Sequence, residues 1–162
     1  MKKFIVIVLV IACCLSMASC GSSKKNIYFT AENLDGKTVY GDEIFKENEV
    51  TMVNIWATWC GPCVSELPEL QKIYKEYKDK GVTIIGVCCD SNPKKANIQS
   101  VLNKAGVKYM IIYETQELNE IFPAKYIPTT YFVDSKGNIV GEPIVGADPQ
   151  SYRDRLDSML GK

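Results

Sequence analysis

The spacing of apolar and polar positions along this chain predicts its elements. Residues 51–57 are a mostly apolar run of strand length, and residues 82–89 are apolar on both alternating faces, as in a strand buried on both sides of a parallel sheet. Between them, residues 63–80 carry apolar side chains at helical spacing, so the three segments read as one βαβ unit. In front of it, residues 27–30 and 37–40 flank Leu34-Asp35-Gly36, which predicts a small hairpin, and Asp42 is placed to cap a short helix. Behind it, a helix over 93–105 is opened by Asn92-Pro93 and closed by Gly106, followed by a strand over 109–113 and a short helix over 117–122. Residues 129–133 and 138–141 flank Asp134-Ser135-Lys136-Gly137, a hairpin turn. The last element is a helix over 148–160, with Tyr152, Leu156, Met159 and Leu160 on one side. This order predicts an α/β fold: a single three-layer α/β/α domain over residues 27–162, with a mixed central sheet and an N-terminal β-hairpin extension.

Residues 1–26 follow a different pattern. Met1-Lys2-Lys3 is a short cationic start, residues 4–18 are almost entirely apolar, and Ser19-Cys20-Gly21-Ser22-Ser23 follows, the layout of a signal peptide. The apolar run falls short of the roughly 20 residues that a membrane-crossing helix needs, which favours export over a permanent span. Met17-Ala18-Ser19-Cys20 resembles the bacterial lipoprotein processing signal, although Met17 stands where that signal usually has Leu. The resemblance implies that residues 1–19 are a cleaved signal peptide, that Cys20 is lipidated, and that 20–26 tether the domain to a membrane on the periplasmic or exterior side. A plain cleaved secretory peptide or an uncleaved anchor are the alternatives.

Composition then removes whole classes of chemistry. With 19 basic and 19 acidic residues, a net charge of +0 and no dense basic run, the 162-residue chain has no electrostatic footprint for nucleic acid. It contains 0 His, so imidazole is absent as base, shuttle or ligand, and no metal site is expected. The 7 Cys are what remains: Cys13, Cys14 and Cys20 near the start, Cys60 and Cys63, and the adjacent Cys88 and Cys89. Cys13 and Cys14 read as apolar filler of the leader, and Cys88 and Cys89 as small apolar residues ending a buried strand, a vicinal disulfide or an auxiliary redox role being their alternatives.

Cys60 and Cys63 sit where a buried strand turns into a helix. Cysteines at i and i+3 in a first helical turn can meet disulfide geometry, and Pro62 is tolerated there because a first-turn N–H has no partner inside the helix. Cys60 faces unpaired backbone N–H groups and the positive end of the helix dipole, which favours its thiolate and makes it the attacking sulfur. Lowering a thiol pKa from about 8.5 to about 7 raises the thiolate roughly 16-fold at pH 7, but lost nucleophilicity returns about 5-fold of that. The net gain is about threefold, so holding a second thiol close matters more. A structural disulfide or half of a zinc knuckle is the competing reading, and neither a second CxxC nor any His completes a zinc set.

Stepping about 100° per residue from Cys63 puts Leu67, Leu70, Ile73, Tyr74 and Tyr77 in one apolar arc, and Glu66 falls inside it, one turn from Cys63. A carboxyl group there is expected to be desolvated, with a raised pKa, and placed to exchange a proton with the resolving thiol. A solvated early-helix Glu is the alternative.

Ala57-Thr58-Trp59-Cys60-Gly61-Pro62-Cys63 after a hydrophobic strand, with Ile127-Pro128-Thr129 much later, resembles thioredoxin. Cys63-Val64-Ser65-Glu66-Leu67-Pro68, with the exported leader and the extra hairpin, is similar to the membrane-anchored TlpA/ResA-type thiol-disulfide oxidoreductases. The resemblance implies a thioredoxin fold with Cys60 as nucleophile, Cys63 as resolving cysteine and Glu66 as the acidic residue of the site. It makes Trp59, Gly61, Pro62 and a cis Pro128 supporting residues, with Ile127 offering its backbone to the substrate. Asn54 stands where ordinary thioredoxins carry a buried Asp, which leaves Glu66 as the local proton acceptor. A trans Pro128 starting an edge strand is the reading without the resemblance. No cofactor is implied beyond the redox-active Cys60–Cys63 disulfide. The implied partners are protein disulfides and dithiols and, for a reductant in an oxidising compartment, a membrane thiol-electron donor. The Gly61-Pro62 pair resembles that of reducing thioredoxins. Two other functions compete: a thiol peroxidase, which needs a cation near Cys60, whereas Arg153 and Arg155 are the only arginines, and a non-catalytic binding module.

Overall fold

The computed structural model describes residues 27–90 and 95–161. The leader, Cys20, the tether and the Asn92-Pro93 helix start lie outside the described residues. Two short strands, β1 (Thr30–Glu32) and β2 (Thr38–Tyr40), pair antiparallel and form the expected hairpin, with the first strand two to three residues later than its apolar pattern suggests. The turn itself lies at Leu34-Asp35-Gly36 as expected, and Asn33 holds it, since its side-chain carbonyl accepts from the N–H groups of Asp35 and Lys37, at 2.9 and 3.0 Å. Helix α1 (Gly41–Glu47) follows, but Asp42 is not its cap: it lies in the first turn and pairs with Lys46 at 2.7 Å.

The βαβ unit is β3 (Val50–Trp56), α2 (Gly61–Tyr77) and β4 (Val82–Cys88), joined by a short 3-10 turn over Lys78–Lys80. Pro68 lies inside α2, which continues past it to Tyr77. Then come α3 (Lys95–Ala105), β5 (Met110–Tyr113), α4 (Gln116–Ile121), β6 (Thr129–Asp134), β7 (Ile144–Val145) and α5 (Pro149–Met159). The five-stranded sheet runs β5-β4-β3-β6-β7, with β3, β4 and β5 parallel and β6 and β7 antiparallel to their neighbours.

The second arm of the late hairpin differs from the expected 138–141. After the Asp134 turn the chain makes a single bridge, Val133 to Ile139, and then leaves the sheet over Gly141-Glu142-Pro143. Pro143 has no N–H for a ladder, and pairing resumes at β7, opposite Thr129 and Thr130.

Helices cover both faces of the sheet. On one, Leu67, Leu70 and Ile73 of α2, Ile98 and Leu102 of α3, and Tyr152 and Leu156 of α5 pack against Met52, Trp56, Ile84 and Phe132. On the other, Phe29 and Ala31 of the extension, Phe45 of α1, and Leu118 and Phe122 pack against Val53, Ile55, Ile85 and Val133. Strand alternation therefore turns Asn54 toward α2, in the same layer as Met52 and Trp56.

Candidate active site

The parallel strands point their C-terminal ends at one edge of the sheet, where ligand sites of such sheets lie. There β3 passes through Ala57-Thr58-Trp59 into α2, and Cys60 is the N-cap residue of that helix, in an extended conformation (φ −87°, ψ 103°). Its Sγ accepts from the Cys63 N–H at 3.3 Å. Cys60 and Cys63 are joined as a disulfide with their Cα atoms 5.3 Å apart. Cys60 is 6% exposed and Cys63 0%, so the first sulfur borders solvent and the second lies behind it.

The second wall comes from the far end of the chain. The Ile127–Pro128 peptide bond is cis, and the Ile127 carbonyl oxygen lies 3.6 Å from Cys60 Sγ. Around this mouth Trp59 and Tyr126 are strongly exposed, 71% and 65%, while Gly61 and Pro62 are open to solvent.

Below the disulfide lies a buried polar layer. Glu66 is 3% exposed, within the apolar arc of α2 where helical periodicity puts it. Its Oε1 accepts from Asn54 Nδ2 at 2.9 Å, and its Oε2 lies 3.0 Å from the Tyr152 hydroxyl of α5. Asn54 also donates to the Thr130 hydroxyl of the neighbouring strand at 3.0 Å. Burial raises the Glu66 pKa to about 7, against the opposing pull of the hydrogen bonds from Asn54 and Tyr152. A carboxyl that is half protonated near neutrality, one helical turn from Cys63, can take up or return a proton where a thiol must ionise.

Sequence reasoning brought together Trp59, Cys60, Gly61, Pro62, Cys63, Glu66, Asn54, Ile127 and Pro128, and all of them meet at this edge. It missed Asp90, which accepts from the Thr58 N–H at 2.9 Å and from the Thr58 hydroxyl at 2.6 Å and so ties the Cys60 loop to the end of β4. Its place just after a strand of the parallel set was a usable signal. It also read Tyr152 only as core. Cys88 and Cys89 are free thiols: burial pushes Cys88 up to about 12 and the half-buried Cys89 to about 11, and Cys89 Sγ donates to the Trp56 carbonyl at 3.3 Å. Arg153 pairs with Glu69 and Glu76 on α2, and Arg155 donates to the carbonyls of Val140 and Glu142.

A cysteine pair capping a helix on a mixed sheet, opposite a cis proline, defines a thioredoxin-like protein. The Redoxin family profile matches residues 21–160. A thiol-disulfide oxidoreductase ResA from Oceanobacillus iheyensis is 32% identical over 131 residues, which cover 80% of this chain and 64% of the relative. The ResA of Halalkalibacterium halodurans is also 32% identical, over 127 residues, 77% of this chain and 68% of that one. The crystal structure of a thiol:disulfide interchange protein of the thioredoxin family from Chlorobium tepidum superposes with a TM-score of 0.69 at 29% identity, covering 82% of this chain and 92% of that one. The chain belongs to the Redoxin family, as a TlpA/ResA-type thioredoxin-like oxidoreductase.

Proposed function

We propose that this protein reduces protein disulfides outside the cytoplasm, held at the membrane by a lipid on Cys20 and recharged by a membrane thiol-electron donor. The observation that carries the chemistry is the graded pair itself: a bordering Cys60 sulfur, a buried Cys63 sulfur, and a buried Glu66 that titrates near 7 beneath them. In the reduced protein the Cys60 thiolate attacks a client cystine. The client S–S bond breaks, a mixed disulfide forms, and one client sulfur leaves as thiolate. Cys63 then gives its proton to Glu66 and attacks the Cys60 sulfur, so that the Cys60–Cys63 bond forms and the second client sulfur departs with the electron pair. The client gains two electrons and the protein ends as the disulfide. Ile127, whose carbonyl lies beside Cys60, offers backbone to an extended client segment, and Trp59 an exposed aromatic face.

Direction follows from the potential of the couple relative to its compartment. The direct test is therefore the equilibrium potential of Cys60–Cys63 against glutathione, combined with trapping by Cys63→Ala. A potential below that of the compartment and mixed disulfides with cysteine-containing clients are the expected results. A strongly oxidising potential, or no trapped client, overturns the reading. Export and anchoring have their own test: membrane-fraction protein should carry a fatty-acyl label that Cys20→Ser abolishes.

A further inference from the structure

Of the buried titratable groups at the site that the exchange chemistry leaves unused, Tyr152 is the one hydrogen-bonded to Glu66. Tyr152 comes from α5, is 0% exposed, and its hydroxyl oxygen lies 3.0 Å from Glu66 Oε2 and 2.9 Å from the Gly146 carbonyl oxygen. Both neighbours accept hydrogen bonds, and a phenol has a single hydrogen to give. With Glu66 ionised, that hydrogen goes to the carboxylate, because the charge-assisted bond is the stronger one. With Glu66 protonated, the carboxyl O–H donates to the Tyr152 oxygen and the phenol hydrogen turns to Gly146. Gly146 is tied to the client-facing loop, since its N–H donates to the Pro128 carbonyl at 2.8 Å.

We infer that Tyr152 is a positioning residue which relays the protonation state of Glu66 to the Gly146–Pro128 contact, firming the loop opposite Cys60 when Glu66 holds a proton. The role given to the loop rests on the disulfide-exchange reading above; the relay itself does not. Within one turnover, the proton that leaves Cys63 arrives on Glu66 as the client sulfur departs, and the phenol hydrogen passes from Glu66 to Gly146. No atom or charge is gained beyond that transfer. The groups that face Glu66 are Asn54 from β3, Tyr152 from α5, Tyr109 from the segment entering β5, and Cys63 on its own helix.

The test is a carbon-13 NMR titration of the oxidised protein from pH 5 to 9, following the Glu66 carboxyl carbon and the Gly146 carbonyl carbon. In the unaltered protein both should titrate with one midpoint. Tyr152→Phe should silence the Gly146 response and raise the Glu66 midpoint, with a proton affinity about three- to tenfold higher for the loss of one donor to the carboxylate. Glu66→Gln, which keeps Tyr152 in place, should hold Gly146 at its acid-limit shift at every pH. A Gly146 carbonyl that ignores the Glu66 titration, or that still titrates in Glu66→Gln, overturns the relay even where Tyr152→Phe does not fold. An unmoved Glu66 midpoint in folded Tyr152→Phe overturns it as well. No client or reductant is present, so this outcome is independent of the potential and trapping experiments.

Discussion

Glu66 titrates near 7 because ionising it would place a charge where water does not reach, and two neutral donors offset only part of that cost. An unfolded Glu titrates near about 4.3, so between these values the folded protein binds more protons than the unfolded chain. Stability should therefore be greatest below the unfolded pKa, fall as the pH rises toward 7, and level off above it. At about 1.4 kcal/mol per tenfold change in proton affinity, the ceiling of this term is about 4 kcal/mol. Urea unfolding of the oxidised protein at pH 5 and pH 8 should show most of that loss relative to Glu66→Gln, which is neutral throughout. Parallel slopes in the two proteins would refute the assignment. Measuring the difference between them removes the surface carboxylates Asp42, Glu69 and Asp148, whose pKa values are lowered by their hydrogen-bond partners and whose effect has the opposite sign at low pH. The same substitution should slow thiol exchange and shift the Cys63 titration in stopped-flow assays, because the proton acceptor beneath the resolving thiol is gone.

The segment joining β3 to α2 shows how elements hold a reactive sulfur. The helix supplies donors to Cys60 only if its first turn starts at Gly61, and the loop before it is tied to β4 through the two bonds from Thr58 to Asp90. Asp90→Ala removes both acceptors and should cost about 1–3 kcal/mol, with faster amide exchange at Thr58 and slower reaction of Cys60. Unaltered exchange at Thr58 would show that the loop is held by something else. Below it, Gly86 of β4 leaves room for a close approach: a Cβ there would meet Ile111 Cδ1 at 2.5 Å and Trp56 Nε1 at 3.1 Å. Gly86→Ala should therefore lower stability by about 1–3 kcal/mol in denaturant melts, through displacement of the side chains under the site.

At the scale of the whole molecule, the N-terminal extension is part of the core. Phe29 is fully buried, edge-on to Phe45 and Phe122 at 5.9 and 6.5 Å, and Leu34 N–H joins the hairpin to β5 through the Ile111 carbonyl. Phe29→Ala should cost about 3–5 kcal/mol in urea unfolding without changing the Cys60–Cys63 potential. A small loss would mean that the extension packs loosely. Much of this architecture was legible in the sequence, because strand and helix periods are local: the βαβ unit, the cysteine pair at a helix start and the inward face of Glu66 all follow from residues a few positions apart. The start of the first strand, the break at Pro143 and the capping of α1 were misread, because each depends on local hydrogen bonds made or missing rather than on a repeating pattern. Asp90 against Thr58 and Tyr152 between Glu66 and Gly146 span 32, 86 and 6 positions, and no period connects them. The amino-acid order by itself determined the fold class, the sulfur pair and the acid beneath it, since these are set by repeating patterns and residue chemistry. Only the tertiary structure decided which distant side chains complete that acid's hydrogen bonds, because those partners are chosen by packing across the sheet.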